Sequence, residues 1–337
     1  MRAKYDNIAI KGIVTVVPKN IENNEEYVAK LESRRIKKQI LLTGIKERRA
    51  CINGQSSGDL CTLAADKLLD NLGWDRNDIK FMVYVTQSSD LSRPSTAFII
   101  QKRLGIGKQC MVFDVNLGCS GYVAGIQIVA GLLHNVGGKA LLLAGESGTF
   151  ENGYSVSTSS LLNGDAGSAT AIEVDSRAST MYCEQCSDGY GYKKIYKPHG
   201  KPGFMDGNGV LLFTLNEVVD SIKAFKKDFE IDENEIDYYV LHQAQKMILD
   251  GVAKGCNINE EKILSSCEYF GNTSSASIPL TLCTEIEKIK CKELIKAYMC
   301  GFGIGLSWGS VVMDINTSII YPIIESNYVY PDKKEYT

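Results

Sequence analysis

Residues 114–122 read DVNLGCSGY and join a predicted strand, Val112–Val115, to a predicted helix, Cys119–Leu133. In open α/β units, reactive groups gather at the carboxyl ends of strands, where loops and helix N-termini lie. The unpaired N–H groups and the dipole of a helix N-terminus favour an anion, so we expect a lowered pKa for the Cys119 thiol. A thiolate held there is a good acyl acceptor, which makes Cys119 the candidate nucleophile.

Apolar runs that predict buried strands alternate with longer amphipathic segments on both sides of this junction, the pattern of an α/β fold. The predicted strands are Ile8–Val17, Ile79–Thr86, Val112–Val115, Ala140–Ala144, Ile236–Leu241, Lys262–Cys267, Leu294–Tyr298 and Leu306–Asp314. The predicted helices are Asp59–Leu72, Ser95–Leu104, Cys119–Leu133, Val210–Phe229, Gln245–Lys254 and a segment from Gly271 to about Lys288.

The order of these elements repeats along the chain. His242 follows Gln87, at the end of a matching strand, by 155 residues, and Asn272 follows Cys119, at the start of a matching helix, by 153 residues. We therefore predict two equivalent β-α-β-α-β halves, one over residues 1–178 and the other over residues 179–317. Residues 318–337 form a C-terminal extension for which the sequence indicates no role.

His242 and Asn272 lie, like Cys119, at predicted strand-to-helix junctions. Two halves related by pseudo-symmetry would bring the three side chains together. Each of the two also has a purely structural interpretation, because histidines are often half-buried at strand ends and asparagine is a favoured helix N-cap. The combination of the three, rather than any one of them, indicates a catalytic site.

The composition excludes several classes of function. The chain has 337 residues, of which 44% are hydrophobic and 23% charged, and its formal net charge is −3. This balance provides no basic field for nucleic-acid phosphates, so we predict no nucleic-acid partner. We also predict no membrane-spanning helix and no membrane partner, because the chain has no run of about 18 apolar residues.

The eleven cysteines indicate a reducing compartment. Their number is odd, they are scattered, and the chain starts without the apolar core of a signal peptide, so we expect free thiols and a cytoplasmic location. Cys183 and Cys186 form a lone Cys-x-x-Cys without the second pair that a zinc site needs, and we interpret it as a surface loop. We predict no metal and no cofactor.

A series of motifs appears in the order typical of one enzyme family. Over roughly residues 5–315, the chain resembles the β-ketoacyl-acyl-carrier-protein synthase III family of thiolase-like condensing enzymes. The matching motifs are TGIKER (43–48), DVNLGCSGY (114–122), NGDAGSA (163–169), MDGN (205–208), HQA (242–244), GNTS (271–274) and GFGIGLSWGS (301–310).

The resemblance implies a thiolase-like fold and a two-stage reaction. Cys119 would form an acyl-enzyme, with the oxyanion held by the backbone N–H groups of Cys119 and Ile304. His242 and Asn272 would then hydrogen-bond the thioester carbonyl of a malonyl substrate as it loses CO₂ and attacks the acyl group. Ile304 belongs to a glycine-rich turn, residues 301–305. In the same turn, Phe302 would exclude water and Gly303 would help to bind the substrate.

The resemblance also implies the partners, which are an acyl-CoA, a malonyl-acyl-carrier protein and a second copy of the chain in a homodimer. Lys246 and Lys254 remain as a weak docking site for an acidic carrier protein, whereas Leu212 and Met247 replace residues that are often basic in relatives. Residues 37–42 also lack the tryptophan and arginine with which many relatives hold the CoA adenine. We hypothesise that Arg93, which replaces an aromatic residue of the acyl pocket, enlarges this pocket or meets a polar acyl group.

Other branches of the superfamily fit less well. Hydroxymethylglutaryl-CoA synthases carry a catalytic glutamate where this chain has Gln87, and thiolases carry a second cysteine one position away from Cys300. Acyltransferases of this fold that form esters or amides often have aspartate in place of Asn272. A specialised enzyme that transfers an acyl group without decarboxylative condensation remains the alternative.

Overall fold

The computed structural model describes residues 1–30, 32–151, 161–199, 201 and 203–335, and most of its strands lie in two mixed sheets. The strands are β1 (Arg2–Tyr5), β2 (Ile8–Val17), β3 (Ile21–Asn23), β4 (Glu47–Arg49), β5 (Ile79–Val85), β6 (Met111–Val115), β7 (Lys139–Glu146), β8 (Ala166–Val174), β9 (Met181–Ser187), β10 (Ile195–Tyr196), β11 (Phe204–Met205), β12 (Tyr238–Leu241), β13 (Leu294–Gly303), β14 (Ser307–Asn316) and β15 (Ile324–Glu325).

Helices cover both sheets and fill the space between them. They are α1 (Asn24–Lys30), α2 (Arg34–Leu42), α3 (Ser57–Leu72), α4 (Thr96–Leu104), α5 (Gly121–Val136), α6 (Gly148–Glu151), α7 (Gly207–Phe213), α8 (Val219–Asp228), α9 (Lys246–Cys256), α10 (Cys267–Phe270), α11 (Ser277–Thr284) and α12 (Ile286–Ile289).

The first sheet has the strand order β15-β2-β8-β7-β5-β6. In this sheet β5 runs parallel to both β6 and β7, whereas β8 is antiparallel to β7 and β2. The sequence of β7, KALLLAGE, is buried from its second residue to its last, as expected of a central strand with both faces covered. Because β5 and β6 end side by side at Val85 and Val115, the segments that follow them leave from the same edge of the sheet.

The second sheet has the strand order β1-β9-β14-β13-β12. Its β12 and β13 are parallel, and Leu241 at the end of β12 pairs with Cys300 of β13. This register places His242 next to the glycine-rich end of β13. The two sheets also exchange strands from distant parts of the chain, because β1 joins the second sheet and β15 joins the first. The division of the chain at residue 178 stays a prediction.

The central layer consists of α5 and α11, which pack between the two sheets in one large apolar cluster. Because α5 touches both sheets, it is apolar nearly all round. A Cβ atom at Gly125 would lie 2.5 Å from Leu142 Cδ1, so a glycine is needed for this close approach to β7. The outer face of the first sheet packs against α3 and α4, and that of the second sheet packs against α8 and α9.

The predicted strand Lys262–Cys267 is wrong, because only Ile263 forms a bridge, to Tyr239, and α10 starts at Cys267. At the end of this segment, a side chain takes the hydrogen bonds that a neighbouring strand would otherwise accept. The side-chain oxygen of Gln243 accepts hydrogen bonds from the backbone N–H groups of Ser266, at 2.9 Å, and Cys267, at 3.3 Å.

Two further elements differ from the sequence prediction. The predicted helix Val210–Phe229 is divided by a π-helical turn, Thr214–Val218, into α7 and α8. At this turn the Thr214 hydroxyl donates to the Val210 carbonyl at 2.9 Å, a side-chain bond that competes with the helical pattern. The Cys183–Cys186 pair lies in strand β9 rather than in a surface loop, and Cys183 is buried.

Candidate active site

Cys119 lies in the turn between β6 and α5, two residues before the helix begins at Gly121. The glycine-rich end of β13 packs directly against this turn. A Cβ atom at Gly303 would lie 2.8 Å from Cys119 Cβ, and a Cβ atom at Gly301 would lie 2.8 Å from the Cys119 carbonyl oxygen. Glycine is therefore needed at both positions for the second sheet to reach the candidate nucleophile.

The sulfur of Cys119 faces both a hydroxyl and backbone N–H groups. Its Sγ lies 3.8 Å from Ser274 Oγ. Burial raises the pKa of the Cys119 thiol to about 11, while hydrogen bonds from Ser274 and from the N–H groups of Cys119 and Ile304 lower it less. The predicted lowering of this pKa is wrong, because desolvation outweighs these donors and the residue precedes the first turn of α5.

His242 follows β12 and is 1% exposed. Its Nδ1 lies 2.9 Å from Ser277 Oγ, and its ring packs edge-on against Phe302 with a centroid distance of 5.5 Å. Burial lowers the pKa of His242 to about 3, against a smaller opposing effect of a backbone hydrogen bond with Ser274. The imidazole is therefore neutral at physiological pH.

Asn272 is held in place by its backbone and by its side-chain oxygen. Its N–H donates to the Leu162 carbonyl at 2.8 Å, and its carbonyl accepts from Gly164 N–H at 3.0 Å. A Cβ atom at Gly164 would lie 1.9 Å from the Phe270 carbonyl oxygen, so this loop pairing needs the glycine. Asn272 Oδ1 accepts from the N–H of Ser274 at 2.9 Å, which fixes the orientation of the side-chain amide.

The helix N-cap interpretation of Asn272 is wrong. The helix α11 begins five residues later, at Ser277, after a short 3₁₀ turn at Ser274–Ala276. Asn272 instead forms a local turn by bonding the backbone two residues ahead.

The remaining residues of the glycine-rich turn lie at the same place. Phe302 is 2% exposed and contacts His242, and the N–H of Ile304 reaches the Cys119 sulfur. The turn is tied down by Ser307, whose hydroxyl donates to the Ile304 carbonyl at 2.9 Å and lies 2.5 Å from Ser120 Oγ. The structure thus brings together Cys119, His242 and Asn272 from the three predicted junctions with the predicted residues of this turn.

Three predicted residues do not join this cluster within the single chain. Arg93 is exposed in the loop between β5 and α4. Lys246 and Lys254 are exposed on α9, where Lys246 Nζ lies 3.2 Å from Asp250 Oδ1. Their predicted contacts would therefore be made with another molecule.

Sequence reasoning missed the residues that support the site. Ser274 lies within the GNTS motif but was not singled out, although its φ is +49°. Glu146 is buried at the end of β7, where Oε1 accepts from the N–H of Gln87 at 3.0 Å and Oε2 accepts from the Ser88 hydroxyl at 2.8 Å. A polar residue at the end of a predicted strand, next to the ALLLA run, was the available signal for Glu146.

Within the described ranges, no group of three or more His, Cys, Asp or Glu side chains could hold a metal ion. The same part of the chain has no helix that is both long enough and apolar enough to cross a membrane.

Known proteins are similar to this chain in both sequence and structure. The family profile described as 3-oxoacyl-[acyl-carrier-protein (ACP)] synthase III C terminal matches residues 227–315. The β-ketoacyl-[acyl-carrier-protein] synthase III of Oceanobacillus iheyensis is 30% identical over 311 residues, which cover 91% of this chain and 98% of the relative. The corresponding enzyme of Staphylococcus epidermidis is 31% identical over 313 residues, with the same coverage of 91% and 98%.

The structural similarity extends over nearly the whole molecule. The crystal structure of 3-oxoacyl-(acyl-carrier protein) synthase from Burkholderia xenovorans superposes with a TM-score of 0.91 and 29% identity. The match covers 97% of this chain and 99% of that chain. The architecture of two sheets around buried helices is accordingly the thiolase-like fold.

Proposed function

This chain belongs to the β-ketoacyl-acyl-carrier-protein synthase III family, and on that premise we propose that it condenses an acyl-CoA with malonyl-acyl-carrier protein to a 3-oxoacyl product. The single observation that carries the proposed site is that Cys119, His242 and Asn272 all contact Ser274, with the N–H of Ile304 at the Cys119 sulfur. The reaction is an acyltransferase step followed by a decarboxylative Claisen condensation, as in fatty-acid biosynthesis.

In the first stage, Cys119 Sγ attacks the carbonyl carbon of the acyl-CoA thioester. Because its pKa is about 11, the thiol holds its proton at neutral pH and gives it up as the carbon–sulfur bond forms. The N–H groups of Cys119 and Ile304, which lie at the sulfur, would stabilise the oxyanion as it develops beside it. The CoA thiolate leaves and takes up one proton, so the products are an acyl-cysteine and free CoA.

In the second stage, the malonyl thioester loses CO₂ and the electron pair of the broken bond forms an enolate. His242 and Asn272 donate hydrogen bonds to the enolate oxygen, for which a neutral imidazole and an amide suffice. The enolate carbon attacks the acyl-cysteine, the Cys119 thiolate leaves, and it recovers a proton. Phe302, packed edge-on against His242, limits the access of water to this step.

The proposed assembly is a cytoplasmic homodimer, in which the exposed Arg93 of one subunit reaches the acyl pocket of the other. Arg93→Phe is then expected to change the preference among acyl-CoA substrates. An unchanged preference would remove Arg93 from the acyl pocket.

The first experiment is intact mass spectrometry after exposure to acetyl-, medium-chain, branched and dicarboxylic acyl-CoAs. An adduct on the wild type that is absent from Cys119→Ala identifies both the nucleophile and the acyl group. An adduct that persists in Cys119→Ala would contradict the proposed nucleophile. No adduct from any of these CoAs would mean that the acyl group arrives on another carrier or that the protein is not a self-priming synthase.

The alternative is acyl transfer without decarboxylation. Asn272 favours condensation, because an amide, unlike the aspartate often found in ester- or amide-forming relatives, can donate a hydrogen bond to an enolate oxygen. Release of CO₂ from malonyl-acyl-carrier protein, measured together with 3-oxoacyl product, distinguishes the two reactions. Acyl-enzyme formation with no CO₂ release would favour the alternative.

A further inference from the structure

The segment Ile324–Glu335 returns from the second sheet and covers the edge of the first. Ile324 and Glu325 pair in parallel with Val16 and Val17 of β2. Gln55, just before α3, donates through Nε2 to the backbone carbonyls of Ser326 and Tyr328 at 3.0 and 3.3 Å. The segment is therefore bound by backbone and side-chain contacts along its length.

The segment ends in a cluster of buried charges. Lys333 is 7% exposed, and its Nζ lies 2.9 Å from Asp59 Oδ2 and 3.6 Å from Asp90 Oδ2. The Lys333 ammonium also donates to the Gly54 carbonyl at 3.0 Å. Beside it, Asp332 receives hydrogen bonds from Nε and Nη2 of Arg103, whose guanidinium lies 4.6 Å from the centre of the Tyr330 ring.

Asp59 and Asp90, the two carboxylates that face Lys333, differ in their other partners. Asp59 also pairs with Arg103 at 3.1 Å and belongs to the capping box of α3. The side chain of Asp90 is 1% exposed, and neither of its oxygens has a hydrogen-bond partner among the described residues. Within that part of the chain, Lys333 is the cation that faces Asp90. A buried carboxylate is strongly disfavoured without an opposite charge, so Asp90 depends on Lys333.

Asp90 belongs to the loop of residues 87–95, which connects β5 to α4 and passes the candidate active site. At its start, Gln87 Oε1 would lie 2.6 Å from a Cβ atom at Gly118, the residue before Cys119. At its other end, the loop carries the exposed Arg93. A displacement of Asp90 would therefore be transmitted through Gln87 to the turn that carries Cys119.

We propose that Lys333 is a positioning residue, which holds the 87–95 loop beside Cys119 by neutralising the buried carboxylate of Asp90. The loop carries Gln87 against Gly118, the residue before Cys119. Its position should therefore affect which acyl groups Cys119 accepts. This inference rests on the proposed acyl transfer to Cys119.

The test compares Lys333→Met, Asp90→Asn and the double variant with the wild type. The readout is the ratio of Cys119 acylation rates with acetyl-CoA and octanoyl-CoA, followed by intact mass. Lys333→Met is expected to change this ratio by roughly fivefold or more, and Asp90→Asn in the same chain is expected to restore it, because the unpaired charge is then gone. Lys290→Met, at an exposed lysine paired with Glu287, is the matched control and should leave the ratio unchanged.

A ratio that stays at the wild-type value in Lys333→Met would overturn the proposal, even if the melting temperature falls. So would a double variant that resembles Lys333→Met. If Lys333→Met does not fold, a folded double variant with the wild-type ratio supports the coupling, and an unfolded one contradicts it.

Hydrogen exchange separates this proposal from the proposed function. Amides of residues 87–95 should exchange faster in Lys333→Met and return to the wild-type rate in the double variant. If the wild type accepts no acyl group, the proposed function fails while this readout still applies. Unchanged exchange in Lys333→Met would overturn the positioning role independently.

Discussion

Ser274 contacts each of the three candidate catalytic residues. Its hydroxyl lies 3.8 Å from Cys119 Sγ, its N–H donates to Asn272 Oδ1, and its backbone forms a hydrogen bond with His242. Its φ of +49° is in the left-handed region, which is uncommon for residues other than glycine and is kept only where the surroundings enforce it. One residue in an uncommon backbone conformation thus links the three candidate catalytic residues.

Ser274→Ala is expected to raise the pKa of Cys119 further. The serine hydroxyl stabilises the thiolate, so its loss should slow alkylation of Cys119 by iodoacetamide by roughly threefold to tenfold near pH 8. The rate measured from pH 7 to 10 checks this, with the exposed Ser318→Ala as control. A profile that coincides with that of the wild type would show that the hydroxyl does not act on the sulfur.

His242 should make stability depend on pH. Its pKa is about 3 in the folded protein and about 6.5 in an unfolded chain, so the unfolded chain binds more protons between these values. The free energy of unfolding therefore decreases as the pH falls below about 6.5, by about 1.4 kcal/mol per pH unit from this residue alone.

His242→Gln removes that dependence. Between pH 7.0 and 5.5, urea unfolding should show a loss of stability about 1 kcal/mol larger in the wild type than in this variant. The exposed His134→Gln is the control and should behave as the wild type. Equal losses in the wild type and His242→Gln would mean that His242 is not buried in its neutral form.

At the scale of elements, the end of β13 and the turn before α5 form one unit. Gly303→Ala would place a methyl group 2.8 Å from Cys119 Cβ, so the two elements must separate. We expect acylation of Cys119 to slow by at least about tenfold, since a small misplacement of a nucleophile is costly. The acylation rate, measured together with circular dichroism, checks this.

Gly189→Ala is the matched control for this glycine, because a Cβ atom there meets nothing within 4 Å. It should acylate at the wild-type rate. If Gly303→Ala is folded and acylates equally fast, the close packing of β13 on Cys119 does not matter for catalysis.

The elements that the sequence predicted well are those with long apolar patterns. The bounds of β2 and of α3 were predicted within two residues, because burial on a sheet or on a helix face leaves a regular pattern. The segment 262–267 was mispredicted because the side chain of Gln243, distant in sequence, satisfies its backbone. Likewise, burial of Cys119 comes from the second sheet, so its raised pKa could not be predicted from the local motif.

At the scale of the whole molecule, the surface beside α9 is more apolar than a docking site for an acidic protein needs. On α9, Met247 is 44% exposed and follows the exposed Lys246, and Leu212 of α7 is 61% exposed. Opposite charges accelerate and orient encounters between proteins, so this surface should dock an acidic carrier weakly.

The variant Leu212→Lys/Met247→Lys should bind an acidic acyl-carrier protein more tightly. We expect KM for malonyl-acyl-carrier protein to fall by roughly threefold to tenfold at low salt, with kcat unchanged, and the gain to disappear at high salt. KM for malonyl-CoA is the internal control, because it lacks the carrier. If KM falls equally for both substrates, or does not fall for malonyl-acyl-carrier protein, the carrier docks elsewhere on the protein.

The pairing of β15 with β2 has a consequence for synthesis on the ribosome. Residues 324 and 325 are made 308 residues after their partners, 16 and 17, an interval of roughly 15 to 60 s at ordinary rates of translation. Until then one edge of β2 has no neighbour, and an open strand edge can pair with other chains. During this interval the edge of β2 in the nascent chain is open to pairing with other chains, whereas in the finished protein β15 covers it.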